Sequence, residues 1–211
     1  MYLNGVWLAP GAHPDSPEGC LMEWVAVLSG LPKTDRPQCV NDLVTSVAIH
    51  LNDTLDDEGR QELATFIPRL LAARRDPADH RIGIHLAVWA AGSIAAWAPE
   101  RLRPLHDRTV AAARGRLTGS VGEEACRALA AEAAEAGAKV KSDVLYVAAD
   151  AAHAASADDP AGGTVNAVSG ALQWIIAHGD PLAWFSGLLE AHAAAWATEA
   201  ELREERVCCP V

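Results

Sequence analysis

Apolar positions along the chain recur at the spacing of a helix rather than that of a strand. Val40, Leu43, Val44, Val47 and Leu51 follow one another at i, i+3, i+4, i+7 and i+11, so an α-helix would place them on one face. Alanine, the strongest helix former, is abundant in the second half, and runs of β-branched residues are short. We therefore predict an all-α protein.

Capping residues divide the first part of the chain into three predicted helices. Ser16 is a suitable N-cap, with a proline directly after it, and Gly30 is a suitable stop for the first helix. Pro37 is predicted to start the second helix, and Asp56 is predicted to cap the third. Pro68 removes a backbone donor, so we expect a break or a kink in the third helix there.

The segment 77–98 is predicted to be the central helix of the fold. Pro77 signals its start, and Gly83, Ala87 and Ala91 give it a face of small residues. Such a face lets a neighbouring helix approach closely, which is why we place this helix at the centre. Further helices, which bring the total to about eight or nine, are predicted at 105–117, 120–136 and 139–155 (separate, or one helix interrupted at Gly137), 164–178 and 181–205.

Length and composition are typical of a globular protein with one core. The 211 residues and 22.2 kDa suit an irregular helical bundle that forms a single domain over residues 1–211. Lobes at 16–103 and 104–211 are compatible with this size. Half of the residues are hydrophobic, which is enough for a packed interior.

Charge and cysteine content exclude several classes of protein. The 28 acidic and 17 basic residues give a net charge of −11, so binding to nucleic-acid phosphates is not expected. The uncharged stretches 82–98 and 161–177 are shorter than the ~20 apolar residues that cross a bilayer, so no membrane span is expected. Five scattered cysteines do not resemble a secreted disulfide framework, and no signal peptide is evident, so we expect a cytoplasmic protein.

Glu23 is the most informative single residue, because it is the one acidic group in the apolar run 20–28. A helix of this composition is normally buried, and burial of an unpaired carboxylate costs several kcal/mol. Glu23 therefore needs a partner. The predicted partners are backbone N–H groups in the loop 33–38, or the side chain of Arg36.

The same region contains residue types that bind metals. Cys20, Glu23, Cys39 and His50 would converge if the first two helices formed an antiparallel hairpin, and Asp53 lies on the same flank as His50. Two thiolates, a carboxylate and an imidazole suit Zn²⁺ or Fe²⁺. No Cys-x-x-Cys or His-Glu-x-x-His spacing is present. We therefore favour a structural polar cluster without a metal or another cofactor, in which both cysteines pack as small buried residues.

Tryptophan is unusually frequent, with seven residues in this length. Five of them come from three predicted helices that are expected to meet. We favour a tryptophan-filled core, and the other interpretation is a pocket for a planar or apolar ligand. The five residues are Trp89, Trp97, Trp174, Trp184 and Trp196.

A second polar cluster lies on one side of the predicted helix 139–155 and consists of Asp143, Tyr146, Asp150 and His153. An Asp-x-x-His spacing can present two metal ligands from one helix. Di-metal sites in helical bundles also need matching carboxylates from other helices, and no paired motif is present. We therefore interpret this cluster as a solvated helix face.

One set of short motifs carries a resemblance to other proteins. The motifs are Cys20-Leu21-Met22-Glu23, Asp35-Arg36-Pro37-Gln38-Cys39, Asn52-Asp53 and Ile67-Pro68-Arg69. Their order resembles a pattern in uncharacterised actinobacterial and phage helical proteins, over about residues 17–75. Those proteins tend to have histidine where this chain has Arg36. The resemblance implies no known activity or ligand, so it assigns no role to any residue.

Two functions are consistent with these features. We favour a non-catalytic binding or accessory protein of bacterial or phage origin, whose partner is another protein or an apolar small molecule. The alternative is a small enzyme or metal-binding protein that uses Cys20, Glu23, Cys39 and His50. The alanine-rich helices of the second half also leave assembly into a homo-oligomer open.

Overall fold

The computed structural model describes residues 6–13, 15–74, 79–156 and 161–208. These residues form α-helices and short 3-10 helices, and no strand or sheet occurs among them. The prediction of an all-α protein is therefore confirmed. Among these helices, none combines the length and the apolar character that a transbilayer segment requires.

The α-helices of the described residues are α1 (Leu21–Leu28), α2 (Asp42–Thr54), α3 (Asp57–Glu62), α4 (Ile67–Ala72), α5 (Asp79–Ser93), α6 (Arg103–Leu117), α7 (Glu123–Val140), α8 (Asp143–Ser156), α9 (Ala161–His178) and α10 (Pro181–Cys208). Short 3-10 helices occur at Leu63–Phe66, Ala95–Trp97 and Glu100–Leu102.

The first helix begins at Leu21, later than the predicted start at Ser16. The side chain of Glu23, the third helical residue, caps its N-terminal end, because Cys20 N donates to Glu23 Oε2 at 2.8 Å. Gly30 ends the helix as predicted. It has a φ of 73°, a left-handed conformation that glycine adopts without steric cost.

The second helix begins at Asp42, so the predicted start at Pro37 is wrong. Asn41 is the N-cap, because its side-chain oxygen accepts hydrogen bonds from Leu43 N at 3.1 Å and Val44 N at 3.2 Å. The chain between the proline and this cap forms a loop.

The cap of α3 and the break before α4 both occur where the sequence predicts them. Asp56 caps α3, as predicted, by accepting a hydrogen bond from Gly59 N at 2.9 Å. Pro68 lies in the first turn of α4. N–H groups in the first turn have no acceptor within the helix, so the missing N–H of proline costs no helical hydrogen bond there. The predicted break occurs just before this proline, as the 3-10 helix Leu63–Phe66.

The chain divides into two compact units. Unit 1 comprises Met1–Pro77 with Phe185–Leu189. In it, α1 packs against α2 and α4, and the ring of Phe185 lies 5.2 Å from that of Phe66. Its fully buried side chains include Leu21, Met22, Val25, Val44, Leu51, Leu63 and Leu70.

Unit 2 comprises Ala78–Trp184 with Glu190–Val211, so the lobe boundary considered at 103/104 falls inside it. Helix α8 packs against α5, α6, α7 and α9, and most of its residues are buried. At Gly163 on α9, an added Cβ would lie 2.7 Å from Ala154 N and 2.9 Å from Asp150 O of α8. Glycine at this position therefore permits the close approach of the two helices.

Helix α5 corresponds to the predicted central helix, although the predicted start at Pro77 lies outside the described residues. It packs against α6, α8 and α9, and Ala87 and Ala91 of its small face are fully buried. The α-helix ends at Ser93 and a 3-10 helix continues to Trp97, close to the predicted end.

Helix α7 is longer than predicted. It continues through Gly137, which is buried against Leu145 of α8, and it ends at Val140. Lys141 then takes a left-handed conformation with a φ of 53°, and α8 follows.

Candidate functional site

Glu23 is buried, with 1% of its surface exposed, but it is not bound by the predicted partners. Glu23 Oε1 accepts a hydrogen bond from His13 N at 2.7 Å, and Oε2 accepts one from Cys20 N at 2.8 Å. Both donors precede α1, so the prediction of donors in the loop 33–38 is wrong. Arg36 is exposed and does not neutralise this carboxylate.

The chain before α1, residues 6–13 and 15–19, forms an irregular segment that we call the N-terminal strap. Asn52 of α2 is fully buried and holds this segment to the first helix. Its Nδ2 donates to Ala9 O at 2.9 Å, and its Oδ1 accepts a hydrogen bond from Leu21 N at 3.0 Å. The Asn52 side chain thus forms hydrogen bonds with the backbone of both the strap and α1.

Other side chains fix the strap along its length. Gln61 forms two hydrogen bonds with the backbone of Leu8, at 3.0 and 2.8 Å. Asp53 Oδ1 accepts a hydrogen bond from Gly11 N at 2.8 Å. Lys33 donates to three carbonyl groups of the strap. These side chains therefore satisfy backbone groups of a segment that has no regular secondary structure.

The metal hypothesis is not supported by the arrangement of its four residues. Cys20 and Glu23 are buried beneath the strap, whereas Cys39 and His50 are exposed. Within the described ranges, no group of three or more histidine, cysteine, aspartate or glutamate side chains is placed to hold a metal ion. The four residues do not converge because the carboxylate faces the strap rather than the following loop.

The buried thiols are poor nucleophiles. Burial raises the pKa of Cys20 to about 11, and burial also raises the pKa of Cys126. Both side chains are therefore protonated at neutral pH, and the thiolate is the reactive form. Cys39 is exposed, with its Sγ 3.7 Å from Ser29 Oγ.

The five tryptophans do not form one pocket. Trp89 and Trp184 pack together with ring centroids 5.2 Å apart, whereas Trp174 makes a tilted ring contact with a histidine elsewhere in unit 2. Trp97 and Trp196 are 41% and 39% exposed. The prediction of a single tryptophan cluster is therefore wrong.

A groove of about 390 Å³ opens in unit 2 between α5, α6 and α10. We call it the α5/α6/α10 groove. Its surface is mainly apolar, and Trp89 supplies the aromatic part of the wall. It is lined by His85, Val88, Trp89, Arg114, Leu117, Thr118, Ala191, Ala194, Ala195 and Thr198.

A buried ionic cluster lies behind one wall of the groove. Glu199 is 4% exposed, and its Oε2 accepts a hydrogen bond from Arg81 Nε at 2.7 Å. Its Oε1 lies 3.3 Å from His85 Nε2. Burial by itself raises the pKa of Glu199, but the hydrogen bonds and charges of Arg81 and His85 outweigh that effect and hold the pKa below its usual value.

The hydroxyl groups of the groove are already engaged with the backbone. Thr118 Oγ1 donates to Gly115 O at 3.0 Å, and Thr198 Oγ1 donates to Ala194 O at 3.0 Å. Neither threonine is hydrogen-bonded to His85, whose ring nitrogen lies against Glu199 instead. The groove therefore contains no nucleophile paired with a base among the described residues.

A smaller cavity of about 260 Å³ lies between α8 and α9. Its wall includes Asp143, Tyr146 and Asp150, three members of the second polar cluster. Tyr146 is 40% exposed, which agrees with a solvated helix face. Burial raises the pKa of Asp150, although the charge of His153 opposes the rise.

Comparison of the chain with protein-family models, with curated proteins and with solved structures finds no match in any of the three. The resemblance to actinobacterial and phage proteins therefore stays a prediction.

The groove is the candidate functional feature that sequence reasoning missed. Its lining comes from positions as far apart as His85 and Thr198, which no local motif connects. The pattern gave one partial signal, since Trp89 was among the residues of the alternative interpretation, a pocket for a planar or apolar ligand. The alanines of α10 gave no signal, because small residues are equally common on helix faces that pack against nothing.

Proposed function

We propose that this protein is a non-catalytic binding protein that accepts an apolar group in the α5/α6/α10 groove. The group is part of a small molecule or of a side chain of a partner protein, because both present the same kind of apolar surface to the groove. We further propose that it acts as a cytoplasmic accessory factor of bacterial or phage origin.

The observation that carries this proposal is the apolar groove itself. A volume of about 390 Å³ lies in the range of small-molecule sites, which are mostly apolar with few polar groups. Trp89 is held in place by Trp184, whose Nε1 donates to Ser93 Oγ at 2.9 Å. An aromatic wall fixed in this way is preorganised for an apolar group, which lowers the entropic cost of binding.

The roles of the buried acids support binding rather than catalysis. Glu23 accepts two backbone hydrogen bonds, and Glu199 is paired with Arg81 and His85. Each carboxylate thus has a structural task in its own unit. The buried Cys20 is protonated, because its pKa is raised to about 11.

The proposal is tested by titrating the protein with the uncharged dye N-phenylnaphthylamine, whose fluorescence rises in apolar surroundings. We expect saturable binding by the wild type. Ala194→Leu places a larger side chain in the groove, and we expect at least a ~10-fold loss of affinity. Ala193→Leu is the matched control, because Ala193 is exposed on the same helix and does not line the groove.

Equal dye affinity in Ala194→Leu and in the wild type would refute this placement of the site. Absence of saturable binding by the wild type would refute the proposed function itself. Thermal unfolding of both variants shows whether a loss of affinity comes from the groove or from unfolding.

A further inference from the structure

We infer that the ligand of the α5/α6/α10 groove is a small apolar carboxylic acid in its ionised form, with the carboxylate bound by Arg114. The inference rests on the proposed function, because it names the chemical class that the same site accepts. The apolar part of the ligand lies against Trp89 and the alanines of α10, and the acid group lies toward α6.

The charge of the groove is opposite in sign to the net charge of the chain. The chain has 28 acidic and 17 basic residues, so an average surface site is expected to be negative. The lining of the groove contains the cationic Arg114, and no aspartate or glutamate among its described residues. The groove is thus a locally positive site on an acidic protein, which is complementary to an anion.

Arg114 has no hydrogen-bond or ion-pair partner in the part of the chain that the structure describes. By contrast, Arg108 of the same helix pairs with Glu132 at 3.1 Å. A guanidinium presents several N–H donors in one plane and binds a carboxylate through two of them. A ligand carboxylate therefore supplies the anionic partner that the described residues do not provide for Arg114.

The two hydroxyl groups of the wall and one ring nitrogen of His85 are engaged with the protein itself. Thr118 and Thr198 donate to backbone carbonyls, and His85 lies against Glu199. Glu199 itself is outside the lining of the groove and is neutralised by Arg81. The guanidinium of Arg114 is the charged donor that the wall offers to a ligand, so a carboxylate fits better than an uncharged alcohol or a cationic amine.

Three eight-carbon probes with different head groups test the inference: octanoate, octanol and octylamine. Each is used to displace N-phenylnaphthylamine from the wild type near neutral pH. We expect octanoate to bind at least ~10-fold more tightly than octanol, and octylamine to bind most weakly. The preference for octanoate should decrease as salt is added, because the ion pair lies at an open groove.

Arg114→Gln should remove the preference for octanoate over octanol, which is measured as the ratio of the two dissociation constants, so that any effect on apolar binding common to both probes cancels. Arg116→Gln is the control, since it removes the same charge from an exposed position of α6 outside the groove. It should retain the preference.

The two proposals fail in different ways. If the dye binds and Ala194→Leu weakens it, but octanoate is no better than octanol, the carboxylate inference is wrong and the binding function stands. Retention of the octanoate preference by Arg114→Gln would also overturn the inference. If neither the dye nor any probe binds the wild type, the proposed function and the inference are both wrong.

Discussion

Glu23→Ala is the substitution that most directly tests the structural role of the buried carboxylate in unit 1. The carboxylate accepts hydrogen bonds from His13 N at 2.7 Å and Cys20 N at 2.8 Å, and its surface is 1% exposed. The substitution leaves both backbone donors without an acceptor, at a cost of about 1–3 kcal/mol for each buried group. His13 is only partly buried, so water can replace part of its lost bond.

We therefore expect Glu23→Ala to lower the free energy of unfolding by roughly 2–4 kcal/mol. Glu23→Gln keeps one acceptor oxygen but turns an N–H₂ group toward the other donor, so a loss of about 1–2 kcal/mol is expected. Glu18→Ala is the control, because Glu18 is exposed in the strap, and its effect should stay within ~0.5 kcal/mol.

The measurement is urea unfolding followed by circular dichroism, together with hydrogen exchange of the His13 and Cys20 amides. Both amides should exchange faster in Glu23→Ala than in the wild type, because they lose their acceptor. A loss of stability below ~0.5 kcal/mol, with unchanged protection of both amides, would refute the structural role of Glu23.

Two further predictions concern other ionisable groups. Brief alkylation near neutral pH should label Cys39 and leave Cys20 and Cys126 unmodified, as read by peptide mass spectrometry, since Cys39 is exposed and burial raises the pKa of the other two thiols. Labelling of Cys20 at the rate of Cys39 in the native protein would contradict this. Glu199→Gln should lower the free energy of unfolding at pH 7 by roughly 1–3 kcal/mol, because it weakens a buried ion pair. The pKa of Glu199 is lowered in the folded state, so its contribution is present above the ordinary pKa of 4.5 and is lost as pH falls through the folded value. The difference between Glu199→Gln and the wild type in urea unfolding should therefore shrink below pH 4.5, and a difference independent of pH would contradict the assignment.

The sequence predicted those features that depend on neighbouring residues. The spacing of apolar residues in α2 predicted its buried face, and Val44 and Leu51 are fully buried. Asp56 and Gly30 were predicted as helix ends, because a capping side chain and a left-handed backbone act within one turn. The burial of Glu23 was predictable for the same reason, since the apolar character of its helix is a local property.

The partners of these residues could not be predicted in the same way. His13 N, which donates to Glu23, and Ala9 O, which accepts from Asn52, belong to the strap, and the strap has no periodic pattern that would indicate where it lies. The positions of Ser16 and Pro37 suggested helix starts, but Cys20 and Asn41 became the caps, because long-range contacts override weak local preferences.

Sequence alone determined the helical class of this protein, the approximate number of its helices and the presence of an enclosed acid near the first of them. Each of these follows from the periodicity and composition of short segments. Only the tertiary structure decided what that acid binds, which tryptophans meet and where a groove opens. These features depend on how helices that are far apart in the sequence pack together. The groove, for example, is formed by side chains of α5, α6 and α10.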